Sequence, residues 1–214
     1  MAECRIILER HGQSMGNFEH RFLGHTDLPL SPLGFKQARC TAEFLKDEKI
    51  DVLYASDLKR AYQTGEALAE LKKMPLIATA GMREIFAGEW EGLTFEEIAL
   101  KYPDEFAVWH NDIGRARCNG GESVAEVYER IFEEICRIGE RHLGQTVFIA
   151  THAVVIRVLK TRASGLTVEH AKDFFWVPNA SVTEIAYSNG AIRLLKDTVS
   201  AHLEGLETAL PPNV

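Results

Sequence analysis

Cysteine is scarce in this 214-residue chain: Cys4, Cys40, Cys118 and Cys136 lie far apart, with no C-x-x-C pair and no histidine at finger spacing. That spread argues against a structural zinc site and a redox couple, and is read as four reduced thiols. Proline numbers only 7, and no Pro/Gly/Ser-rich linker, low-complexity tract or internal repeat interrupts the sequence. Disordered, collagen-like and solenoid classes are thereby excluded, and one domain over residues 1–214 is expected. Long apolar runs are missing too. Val147–Ala150 is typical of the longest, far short of the roughly 20 residues that span a bilayer. The N-terminus has no basic segment followed by an apolar stretch, so a cytoplasmic location is expected. Positive charge is in deficit, with 24 Lys and Arg against 31 Asp and Glu. A nucleic-acid surface, which is a basic patch on a basic domain, is therefore not expected. Any anionic ligand must be held by a local cluster of cations.

What is present is an alternation of short apolar runs and longer amphipathic stretches. Cys4–Leu8 and Val147–Thr151 are apolar on both faces, as buried parallel strands are, and Asp51–Ala55 and Leu76–Ala78 are weaker strand candidates. Ser31-Pro32 opens a helix to about Glu48, with Ser as N-cap and Pro in the first turn. Asp57 is expected to cap a second helix, to about Lys73. Thr94-x-x-Glu97 and Ser123-x-x-Glu126 read as capping boxes, the latter opening the longest helix, to about Arg141. Ser181–Tyr187 and Ala191–Leu195 flank Ser188-Asn189-Gly190, a tight-hairpin signature. The pattern predicts a three-layer α/β/α fold with a mostly parallel sheet and an antiparallel edge. Residues 198–214 read as a loosely attached tail, and an exposed sheet edge could support a homodimer.

In open α/β sheets, ligands gather where the strands end. Here the first strand runs into Arg10-His11-Gly12, the second into Ser56-Asp57-Leu58-Lys59-Arg60, and the Val147 strand into Thr151-His152. Two imidazoles and two guanidinium groups would converge beside helix N-termini, which makes a phosphate-sized cationic pocket. Taken singly, each has a plainer explanation: Arg60 as a solvated first-turn charge, His152 as a satisfied strand-end histidine.

Read together, Arg10-His11-Gly12-Gln13-Ser14 with Asn17, Ala55–Ala61 with Gln63-Thr64, Arg83-Glu84, Gly88-Glu89-Trp90-Glu91-Gly92-Leu93-Thr94, Gly120–Ser123 and Thr151-His152 form an ordered set along nearly the whole chain. This set resembles the histidine phosphatase (phosphoglycerate mutase-like) superfamily, and within it the phosphatase branch that includes α-ribazole and broad-specificity phosphatases. The resemblance implies that His11 is the phosphorylated nucleophile, that Arg10, Arg60 and His152 hold the phosphoryl group with Asn17, and that Glu84 is the proton donor. Gln13, Ser14 and Ala153 are further expected substrate contacts. Glu89 and Glu91 compete with Glu84 for the acid role. Arg115 and Arg117 either hold a second anionic group of the substrate or are a solvated pair. Trp90 and Trp109 either line a mouth or pack in the core. The segments Phe18–Leu30 and Asn111–Gly121 are expected to overhang the pocket and set specificity. Two departures stand out: Glu9, an acid where the family is usually apolar and able to pair with an active-site Arg, and Ala153 where the family commonly has Gly.

The chemistry implied is a metal-independent, cofactor-free phosphatase acting on a small phosphomonoester through phosphohistidine. The alternatives are a cofactor-dependent phosphoglycerate mutase, disfavoured by the short span from Gly92 to Gly120, and an inactive phosphate-ester-binding protein. His20, His25, His110, His142, His170 and His202 show no metal-ligand spacing.

Overall fold

The computed structural model describes residues 2–208. The strands are β1 (Cys4–Arg10), β2 (Val52–Ser56), β3 (Leu76–Thr79), β4 (Thr146–Thr151), β5 (Val182–Ser188) and β6 (Ala191–Val199). The α-helices are α1 (Met15–Phe18), α2 (Pro32–Phe44), α3 (Lys59–Lys72), α4 (Phe95–Lys101), α5 (Pro103–Asn111), α6 (Val124–Arg141) and α7 (Ala153–Ala163). The sheet runs β3-β2-β4-β1-β5-β6. Its first four strands are parallel, and the β5–β6 hairpin closes it with antiparallel pairing. Asn189 and Gly190 both take positive φ in the hairpin turn, which matches the twist of the strands they join.

Strand alternation divides the core in two. Ile7, Leu53, Phe148 and Ala150 face α2 and α3, whereas Ile6, Leu8, Val147 and Ile149 face α6 and α7. Each apolar side chain so buried contributes about 1.5–3 kcal/mol. The α6 helix starts on the Ser123–Glu126 capping box, α4 on Thr94–Glu97, and α2 on Ser31 with Pro32 in its first turn. Helix α2 stops at Phe44, short of Glu48.

Asp57 does not cap α3. The N-cap is Leu58, without a side-chain cap bond, and the Lys59 amide donates instead to Asp27 Oδ1 at 2.7 Å. The Asp57 carboxylate is taken by a two-point ion pair with Arg83, at 2.7 and 2.6 Å. Nor does the tail hang loose as far as Thr208. Leu203 is buried, His202 stacks on Phe44 at 4.4 Å, and Gln37 Nε2 donates to Leu206 O and Thr208 Oγ1. Residues 209–214 of that segment lie outside the described residues. Among the described residues, no helix is long and apolar enough to cross a membrane.

Candidate active site

Because β4 lies between β2 and β1, the carboxyl ends of three parallel strands sit side by side. Arg10 is opposite Thr151 in register, and the His11 amide donates to Thr151 O at 2.9 Å. The long crossover from β1 to β2 leaves the middle place for β4, and this reversal of strand order opens the crevice at the sheet edge. A cleft of about 80 Å³ there is lined by Arg10, His11, Asn17, Arg60, Glu84 and Ala153 on its polar side. Arg21, Phe22, Leu23, Gly24, Phe95, Val154 and Trp176 line the remainder.

His11 is buried, and its Nδ1 lies 2.7 Å from Gly12 O. A carbonyl can only accept, so Nδ1 carries the proton and Nε2 keeps its lone pair free. Burial first, then the positive charges of Arg60 and Arg10, hold His11 well below the usual imidazole range. The ring is neutral at physiological pH. His152 meets it edge-on at 5.2 Å between ring centroids. His152 Nε2 is paired with Ser56 Oγ at 2.8 Å, while its buried Nδ1 has no partner among the described residues. Burial and the same arginines push His152 down as well.

The two arginines are held by neutral oxygens. Arg60 gives Nη1 to Thr26 O at 3.0 Å and Nη2 to Gly24 O at 2.8 Å, and Arg10 gives Nη1 to Val177 O. Among the described residues neither makes an ion pair, so their charge is oriented but not cancelled. Burial lowers both, to about 10, and they stay cationic at neutral pH. The loop that supplies Thr26 is itself held by Glu91, which accepts from His25 N and Thr26 Oγ1. Glu89 accepts from Tyr102 Oη. Of the three candidate acids, Glu84 alone lines the cleft. It receives amide protons from Ile85 and Val154 at 3.0 and 3.3 Å. Burial raises its carboxyl from the ordinary value, against those bonds and the arginine charges.

Several expected contacts are elsewhere. Gln13 is buried with its amide oxygen on Ser31 Oγ, and Ser14 caps α1 in a reciprocal box with Asn17. Both shape the loop without lining the cleft, because Gln13 points back toward α2. Arg117 is drawn off by Glu126 at 2.7 Å and Arg115 by Asp112 at 3.5 Å. The Asn111–Gly121 segment contributes nothing to this cleft, whereas the Phe18–Leu30 segment supplies Arg21, Phe22, Leu23 and Gly24. Trp90 and Trp109 pack in the core. Glu9, one residue before Arg10, points to the opposite sheet face toward Thr41 and is pushed well above the carboxylate range by burial. It makes no ion pair with an active-site arginine.

Sequence reasoning missed Asn179 and Trp176. Asn179 Nδ2 donates to His11 O at 2.9 Å and to Asn17 Oδ1 at 3.3 Å, which fixes the backbone at His11. Neither carries a motif, and both reach the site only through the loop before β5.

This geometry has parallels. The chain is 35% identical over 202 residues to phosphoserine phosphatase 1 of Hydrogenobacter thermophilus, covering 93% of this chain and 94% of that protein. It is 26% identical over 165 residues to the adenosylcobalamin/alpha-ribazole phosphatase of Escherichia coli, covering 77% and 81%. Among solved structures, Bacillus stearothermophilus YhfR superposes with a TM-score of 0.88 at 28% identity, covering 94% of this chain and 99% of that one. The family pattern matches residues 6–198, from inside β1 to near the end of β6 and through every cleft residue named above: the chain belongs to the histidine phosphatase superfamily, branch 1.

Proposed function

We propose that this protein is a metal-independent phosphatase that hydrolyses a small phosphomonoester through a phosphohistidine on His11. The observation that carries the proposal is the His11 ring itself: Nδ1 is committed to Gly12 O, so Nε2 is left as the lone pair between two unpaired arginines. In the first step Nε2 attacks phosphorus, the P–O ester bond breaks, and Glu84 gives its proton to the departing oxygen. In the second, Glu84 takes a proton from water as that water attacks phosphohistidine, and inorganic phosphate leaves. Arg10 and Arg60 neutralise the equatorial oxygens in both steps, with His152 Nδ1 and Asn17 as further donors. A raised carboxyl suits a residue that must begin protonated. Ala153 and Val154 bound the leaving-group side.

The names of the relatives, phosphoserine phosphatase among them, favour a small phosphorylated metabolite as substrate. The test is p-nitrophenyl phosphate hydrolysis in EDTA by wild type and His11→Ala. Expected are chelator-resistant turnover and an inactive variant that no longer takes up acid-labile phosphate. Turnover that EDTA abolishes, or a fully active His11→Ala, refutes the mechanism. A coupled assay of 3- to 2-phosphoglycerate conversion, run beside phosphate release, separates hydrolysis from the mutase reaction.

A further inference from the structure

A second cationic cavity shares Trp176 with the catalytic cleft. It holds about 210 Å³ and is lined by Trp109, His110, Ile113, Arg157, Lys172 and Trp176, with Phe175 at its rim. Arg157 comes from α7, the helix that His152 opens, and is nine-tenths buried. Its Nε donates to Ala171 O at 2.7 Å. Its two terminal nitrogens make no hydrogen bond, and no carboxylate lies within ion-pair distance, among the described residues. The guanidinium carbon sits 5.4 Å from the Trp176 ring centroid, and that of Arg10 sits 6.0 Å from the same ring.

The terminal nitrogens of this largely buried guanidinium open onto the cavity without an ionic partner, so an anion entering there would meet a pre-positioned, uncancelled charge. Burial lowers Arg157 to about 10, which leaves it charged at neutral pH. Lys172 adds a second cation, shared with Asp112 at 3.6 Å. No acid lines the cavity among the described residues, and Asp112, which shares Lys172, also holds Arg115. Phe175 stands exposed at the rim beside this charge.

We propose that this cavity is an oxyanion-binding site for a small organic acid, with the carboxylate or phosphate on the free edge of Arg157 and the apolar body against Trp109 and Phe175. Arg157 offers two parallel N–H donors to two oxygens of one anion. Trp176 is the partition between this site and the phosphate cradle. The occupant is therefore either the second acid group of a substrate that reaches past the indole, or a separate effector. The site does not depend on His11 being a nucleophile.

Benzoate, a carboxylate with an apolar body, is the probe, and neutral benzamide is its control. Orthovanadate is present to occupy the catalytic cradle. The readout is the indole N–H resonance of Trp109, assigned with Trp109→Phe, because Trp109 lines the second cavity and not the catalytic one. Wild type should show a saturable shift with benzoate and none with benzamide. Arg157→Gln should weaken benzoate by roughly ten-fold or more while keeping vanadate affinity, and Arg157→Lys should recover part of it. No saturable shift in wild type overturns the proposal whatever the variants do, and so does equal binding of benzamide. A benzoate affinity unchanged in Arg157→Gln overturns it as well. Failure of vanadate to bind would count against the phosphatase proposal alone. Where the shift is seen, the kinetics of a phosphomonoester that carries a second acid group, such as phosphoserine, identify the source: a competitive rise in its KM with benzoate assigns the site to substrate, and an unchanged KM assigns it to an effector.

Discussion

Arg60 gives the sharpest test of how the cleft works. Its side chain is buried, and both Nη groups hold backbone carbonyls of the Gly24–Thr26 loop, at 2.8 and 3.0 Å. The rest of the fork faces the cleft. Arg60→Lys keeps the charge, but one ammonium cannot hold two carbonyls and also present a flat pair of donors to phosphate. At about 1.5–3 kcal/mol per charge-assisted bond, losing one bond and weakening another costs about 2–4 kcal/mol. That corresponds to roughly 30- to 1,000-fold in kcat/KM. Arg60→Met goes further by removing the charge, which after burial is the largest influence lowering His11. The sign follows from the active form. In the proposed mechanism His11 attacks when neutral, so activity should be lost as pH falls through its lowered value, and deleting a neighbouring cation should move that acid limb to higher pH. The limb should still lie below the ordinary 6.5, because burial remains. The assay is kcat/KM for p-nitrophenyl phosphate across the acid and neutral range, in EDTA. Arg60→Lys within about three-fold of wild type, or an acid limb unmoved in Arg60→Met, would refute the role assigned to this guanidinium.

Glu84→Gln should cut kcat/KM for alkyl phosphates by roughly 10²–10⁴, and p-nitrophenyl phosphate much less, since its leaving group needs no proton. The basic limb that wild type owes to deprotonation of a raised Glu84 should disappear in the same variant; a persisting limb would assign it to another group. Gly34→Ala would place a Cβ 2.1 Å from Gln13 O, so the nucleophile loop and α2 must separate. A loss of about 1–3 kcal/mol is expected, read as a lower Tm and midpoint in urea. Ser123→Ala removes the capping box of α6 and should cost about 1 kcal/mol with kcat/KM unchanged; an activity loss there would mean that α6 communicates with the cleft.

The chain carries its local structure openly. Apolar density on both faces of Cys4–Leu8 and Val147–Thr151 marks central strands, and Ser-x-x-Glu and Thr-x-x-Glu mark helix starts, because propensity and capping act over a few residues. The family resemblance adds the five residues that meet at the sheet edge: Arg10, His11, Arg60, Glu84 and His152. Where the cap of α3 was misread, a distant partner had prevailed over a local preference. Asp57 is a good N-cap by type, yet Arg83 claims its carboxylate and Asp27 does the capping. Of the two readings left open for Arg115 and Arg117, the structure shows the solvated pair, each held at the surface by a nearby acid, Asp112 and Glu126.

Sequence by itself determined the central strands, the hairpin and the capped helices, and which strands end in cationic chemistry; it left α1, α5 and α7 unread. It could not say which of those cations would remain unpaired. That was decided when β4 settled between β2 and β1, when Trp176 came to lie between Arg10 and Arg157, and when Asn179 was delivered to the carbonyl of His11. Such contacts join residues far apart along the chain, and their energies depend on burial and neighbouring charge, quantities that exist only once the layers have closed.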